Sequence, residues 1–188
     1  MQRPSRLSHR ISSMARFSHL LRRFFGSLRP GGPSAPEQAW AESQLLPGEK
    51  AIWLSLSGPD RRHSAAVARR VERSLGSKAT RPVLAAALLH DCGKLESGLR
   101  TPGRVIATVL AASIVKSESD VQRWSLSKSS WKRSVSSYRR HPDIGAELLT
   151  NADSDLLTAT WAKEHHLPPS MWTLDPAIAA ALHEADDD

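Results

Sequence analysis

The sequence is short of cysteine, of aromatic residues and of long apolar runs. Cys92 is the single cysteine, which excludes an internal disulfide framework and suits a reducing compartment, so a cytoplasmic placement is expected. Aromatic residues make up only 5% of the chain, and alternating Val, Ile and Thr segments are hard to find. A β-sheet needs such alternation, so the composition favours an all-helical core. The longest apolar stretch, 105–115, is interrupted by Thr108 and Ser113 and is too short to cross a bilayer. Acidic residues are missing altogether from residues 1–36, which hold seven Arg. The rest of the chain carries 19 basic and 19 acidic residues, so the formal charge of +7 belongs entirely to that tail. A neutral remainder argues against nucleic-acid binding by a folded domain.

Within the tail, Ile11, Met14, Phe17, Leu21, Phe24 and Leu28 recur at three- and four-residue steps among Arg16, Arg22, Arg23 and Arg29. This is a basic amphipathic pattern. It fits peripheral contact with an anionic membrane surface, a partner contact or organelle targeting, and equally a disordered extension or an upstream start codon. The run Pro30-Gly31-Gly32-Pro33-Ser34-Ala35-Pro36 reads as a linker. The expected division is a tail over 1–36 and a helical domain over 37–188.

A succession of helices follows. Short helices are expected over 36–45 and 51–54, separated by a turn at Leu46-Pro47-Gly48. Gly58-Pro59-Asp60 breaks the chain again, and Asp60 reads as the N-cap of a helix over 61–75. His63, Val67 and Val71 share one face of it. The Ala- and Leu-rich stretch 83–89, entered through Pro82, reads as a buried helix. Another helix is expected over 101–115. The Ser-, Lys- and Trp-rich segment 116–137 is the least legible, with Trp124 and Trp131 at a spacing that suits one helical face. His141-Pro142 places His141 at an N-cap, ahead of a buried stripe of Ile144, Leu148 and Leu149. A helix over 154–166 puts Leu157, Trp161 and His165 on one face, with His166 beside them, and ends at Pro168-Pro169. The last helix opens at Asp175-Pro176 and carries Ile178, Leu182 and Asp186 at four-residue steps, with His183 off that stripe.

Chemistry-bearing residues therefore fall at the edges of apolar helices. His90 and Asp91 end the most apolar helix, where neither belongs unless paired or bound to something. Imidazole and carboxylate together suit a divalent metal such as Zn, Fe, Mn or Ni. His63 and Asp186 fall on buried faces of their own helices. Each has a plainer account: a core histidine bonded to backbone, and a frayed helix end. His141 could cap its helix or face a cavity. Lys94, three residues past Asp91, could reach a substrate oxygen or cap a helix C-terminus. Arg61 and Arg62 flank His63 and suit either a phosphate or solvent.

The order His63, His90-Asp91, Asp186 resembles the signature of the HD superfamily of helical, metal-dependent phosphohydrolases: a His, an adjacent His-Asp pair and a distant Asp on a later helix. The resemblance covers about residues 51–188 and not the tail. His90-Asp91-Cys92-Gly93-Lys94 is similar to the His-Asp-Ile-Gly-Lys form of the motif. His141-Pro142-Asp143-Ile144-Gly145-Ala146-Glu147-Leu148-Leu149 and His165-His166 resemble blocks of the HD-GYP branch, which cleaves cyclic di-GMP. That branch continues with Glu and a Gly-Tyr-Pro loop. Here Leu167-Pro168-Pro169-Ser170-Met171-Trp172 stands instead, so cyclic di-GMP hydrolysis is not expected.

The resemblance implies an all-α bundle of HD type with a basic N-terminal extension. It implies one or two divalent ions (Mn, Fe, Ni, Zn or Mg), the first on His63, His90, Asp91 and Asp186. A second would share Asp91 and take His141 and His165, with His166 in reserve. Asp91 and Lys94 would serve catalysis, Arg61 and Arg62 would hold the substrate phosphate, and the substrate would be a phosphorylated small molecule of nucleotide class. Such a centre hydrolyses phosphomonoesters or phosphodiesters. The rival expectation is a non-catalytic HD-type regulatory module that binds a nucleotide or a protein.

Overall fold

The computed structural model describes residues 31–97 and 118–187. The amphipathic pattern of the tail and the helix expected over 101–115 lie outside them. Among the described residues there are nine α-helices and no strand. They are α1 (Ala35–Ser43), α2 (Pro47–Ser55), α3 (Gly58–Leu75), α4 (Arg81–Leu89), α5 (Glu118–Ser125), α6 (Ser130–Arg139), α7 (His141–Asn151), α8 (Leu156–Glu164) and α9 (Pro176–Asp187). Short 3-10 turns follow α3, α4 and α8. None of the described helices is long and apolar enough to cross a membrane.

Proline sets most of the helix starts. A proline in the first turn loses nothing, because its missing N–H would have had no intrahelical partner. Two boundaries expected from sequence shift for this reason. Pro47 opens α2 rather than lying in a turn, and the Glu49 carboxylate accepts the Leu46 N–H at 2.8 Å. Gly58-Pro59 opens α3 rather than breaking the chain, so the N-cap is Ser57 and not Asp60. The Ser57 hydroxyl accepts the Asp60 N–H at 3.3 Å and donates to its carboxylate at 2.6 Å. Asp175 caps α9 as its sequence suggests, accepting the N–H groups of Ala177 and Ile178 at 2.9 and 3.1 Å.

The core gathers around α4, whose residues 83–89 are all buried. α3 packs on one side of it and α8 on another, while α9 lies on α3 and α7 on α8. Trp53, Val67, Val71, Leu88, Leu149, Trp161 and Leu182 fill the space between them. Burying side chains of this size contributes roughly 1.5–3 kcal/mol each. Away from the histidines, polar side chains in this core are paired: the Trp53 indole donates to Ser64 Oγ at 3.0 Å. Glu49, fully buried, also accepts from Arg81 at 3.0 Å and from Ser154 at 2.5 Å. One carboxylate thus pins α2, α4 and the loop before α8.

Trp124 and Trp131 do not share a helical face, because they belong to α5 and α6. Between those helices Arg133 donates to the Ser127 and Lys128 carbonyls at 2.7 and 2.9 Å. The Ser136 hydroxyl then ties α6 back to the Val121 carbonyl at 2.8 Å.

The turn after Asp91 lies directly on the first turns of α7. A Cβ on Gly93 would stand 1.9 Å from the His141 carbonyl oxygen and 2.6 Å from the Gly145 nitrogen. A Cβ on Gly145 would meet Gly93 N at 3.2 Å. Backbone cannot yield as a flexible side chain can, so Gly93→Ala should cost about 3 kcal/mol and Gly145→Ala nearer 1 kcal/mol. Urea unfolding measures both; equal midpoints for Gly93→Ala and the unsubstituted chain would rule out this close approach.

Candidate metal centre

Helix ends supply nearly every polar group of the site. His90 is the C-cap of α4 and Asp91 follows it; His165 is the C-cap of α8 and His166 follows it. His141 is the first residue of α7, after an N-cap formed by Arg140 rather than by His141 itself. Asp186 lies in the last turn of α9, and His63 near the start of α3 faces it.

His90 and His165 are held in the same way. His90 Nδ1 is 3.0 Å from the Ala87 carbonyl, and His165 Nδ1 is 2.9 Å from the Ala162 carbonyl. A carbonyl only accepts, so Nδ1 carries the hydrogen, and in the neutral ring the Nε2 lone pair faces the other way. Both Nε2 atoms face the Asp91 carboxylate, at 3.5 Å from Oδ2 for His90 and from Oδ1 for His165. His141 Nε2 is 3.4 Å from Asp91 Oδ1. Asp186 Oδ1 is 3.0 Å from His63 Nε2 and 3.5 Å from His90 Nε2. The His141 and His166 rings lie 5.0 Å apart, and those of His165 and His166 4.0 Å apart.

Buried polar atoms normally have hydrogen-bond partners. His90 Nε2, His165 Nε2 and Asp91 Oδ1 are buried and have none. Their separations are long for hydrogen bonds but suit donors around one ion, since ligands about 2.1 Å from a shared metal stand roughly 3.0–3.5 Å apart. The donor atoms fall into two groups, each within 4.8 Å across: His63, His90 and Asp186, and Asp91, His141, His165 and His166. Either group could hold a metal ion. Asp91 lies between them, its Oδ1 toward His141 and His165 and its Oδ2 toward His90.

The charges are strongly coupled. Burial alone would lower the His90 pKa, but Asp91 and Asp186 outweigh it and carry it to about 10. Burial alone would raise Asp91, yet Lys94 and His90, with His141 and His165 close by, hold it well below the usual carboxylate range. Lys94 Nζ bonds to Asp91 Oδ2. Burial lowers His165, and partial desolvation with the neighbouring His165 and His141 lowers His166, which stays partly exposed. The Cys92 thiol is pushed up to about 12, chiefly by burial and then by Asp91, so it is inert.

All seven ligand candidates read from the sequence are thus brought together. Arg61 and Arg62 make other contacts. Arg61 donates to the Leu54 and Leu56 carbonyls at 2.7 and 3.3 Å, and Arg62 to the Gly31 carbonyl at 2.6 Å. His183 sits apart, 3.4 Å from Asp187 and beside Trp172. The carbonyls of Ala87 and Ala162 were not foreseen as orienting groups. The signal for them is an Ala-x-x-His spacing repeated at two helix ends, although a backbone group leaves no residue signature. No family model, curated protein or solved structure matches the chain.

The pKa shifts predict how the metal-free protein responds to pH. His165 and His166 have folded values below the ordinary 6.5, so their contribution is present above pH 6.5 and is lost as pH falls. His90 is raised, so its contribution is complete below pH 6.5 and is lost as pH climbs towards 10. Urea midpoints of chelator-treated protein should therefore peak near pH 6.5. His166→Gln should flatten the acid limb and leave the alkaline one; an unchanged acid limb would contradict the assignment.

Proposed function

We propose that the chain is a metal-dependent phosphohydrolase of HD type, acting on a phosphomonoester or phosphodiester of nucleotide class. The observation that carries this reading is the set of partnerless buried donors, His90 Nε2, His165 Nε2 and Asp91 Oδ1, converging between two His/Asp groups. The sequence order His63, His90-Asp91, Asp186 supplies the resemblance to the HD superfamily.

In this reading His63, His90 and Asp186 hold one ion, and His141, His165 and His166 hold a second, with Asp91 shared between them. Divalent ions at such a centre supply Lewis acidity toward a phosphoryl group and lower the pKa of water. The protein's own part is orientation. The Ala87 and Ala162 carbonyls fix the tautomers of His90 and His165. Lys94 brings positive charge to the edge of the cluster, where it neutralises charge on a phosphoryl oxygen. Arg61 and Arg62, expected to hold the substrate phosphate, each engage one guanidinium nitrogen with backbone carbonyls. The single buried thiol agrees with a cytoplasmic setting.

The test is elemental analysis of the purified full chain, followed by a screen of phosphomonoesters and phosphodiesters. About one or two transition-metal ions per chain are expected. Asp91→Ala, which removes the shared carboxylate, should lose both metal and turnover. A chain that takes up no Mn, Fe, Ni or Zn, or an Asp91→Ala variant with full turnover, would overturn the reading. The first result would favour a non-catalytic module.

A further inference from the structure

We propose that Arg70 is a positioning residue for the Asp186 carboxylate, holding it in the His63 and His90 group. The inference rests on the metal-centre reading above for its consequence, though not for its geometry. Arg70 lies two turns along α3 from His63, on the same face. Its Nε donates to the Ala185 carbonyl at 2.7 Å. That carbonyl belongs to the peptide unit joining Ala185 to Asp186, and a peptide unit is planar. Fixing its oxygen therefore fixes the nitrogen and Cα of Asp186.

The position needs such support. Ala185 is in the last turn of α9, where carbonyls have no intrahelical donor, and the residue is 4% exposed. A buried carbonyl left without a partner is costly, so the turn would open towards water. Opening it would swing Asp186 away from His63 Nε2 at 3.0 Å and His90 Nε2 at 3.5 Å. The other group, on Asp91, His141, His165 and His166, takes nothing from α9. Arg70 thus acts on one group and not on the other.

The experiment is titration of the full chain with MnCl2 or CoCl2, followed by calorimetry and, for cobalt, by the visible spectrum. The variants are Arg70→Met, which keeps the apolar stem, Arg70→Lys, Asp186→Ala, and Arg70→Met combined with Asp186→Ala. Arg70→Met should weaken one binding event by on the order of tenfold, the scale of one charge-assisted hydrogen bond, and leave the other unchanged. Arg70→Lys should restore part of the loss. In the Asp186→Ala background, Arg70→Met should cost nothing further. Equal weakening of both events, no weakening, or a further loss in that background would overturn the proposal.

Hydrogen exchange on the metal-free protein separates this from the functional reading. Arg70→Met should lose protection in residues 184–187 while α4 keeps its own. If the unsubstituted chain takes up no metal, the phosphohydrolase reading fails. Exchange then decides alone on Arg70, and unchanged protection in α9 would overturn its role.

Discussion

The structure depends on a carboxylate, Asp91, held inside a ring of imidazoles at the junction of α4, α7 and α8. Removing a carboxylate from water is expensive, and each neighbour answers part of that cost. Lys94 bonds one oxygen, His90 Nε2 faces the same oxygen, and His141 and His165 approach the other. The helices arrive where they do because the chain can bring backbone onto backbone at Gly93 and Gly145. Without that approach His141 would stand too far from Asp91 for one centre.

Two kinds of constraint meet at this junction. The apolar core around α4 fixes where the helix ends lie, through large buried side chains such as Leu88, Leu149 and Trp161. The helix ends then fix the histidines, because a C-terminal carbonyl that lacks an intrahelical donor is also an acceptor for an imidazole. His90 and His165 use this twice, at Ala87 and at Ala162. Core packing and ligand orientation are thus coupled through the same last turns.

Much of this was legible in the sequence, for physical reasons. The apolar run 83–89 reads as a buried helix because Ala and Leu lose little on entering one, and Asp175-Pro176 reads as a helix start because both residues suit it. His63, His90, Asp91, His141, His165, His166 and Asp186 stand out because a polar residue on an apolar face needs a partner. The helix starts at Pro47 and Gly58 are hidden in the sequence because proline reads as a break although it suits a first turn. Trp124 and Trp131 misled because spacing alone does not show the turn between α5 and α6. Arg70 left no signal, since a sequence does not reveal which backbone carbonyl its side chain meets, and Gly93 reads as a tight exit from α4 but not as the contact with α7.

The arrival of helix ends has a consequence for the order of events. Each α-helix carries about half a unit of negative charge at its C-terminus. Three such ends, of α4, α8 and α9, meet at this centre alongside Asp91 and Asp186, against the single positive end of α7. These ends add to the two carboxylates, which Lys94 offsets only in part, so the centre favours a cation over an anion. For the proposed phosphohydrolase this implies an order of events: a phosphate would find a favourable site only after cations had reversed that preference.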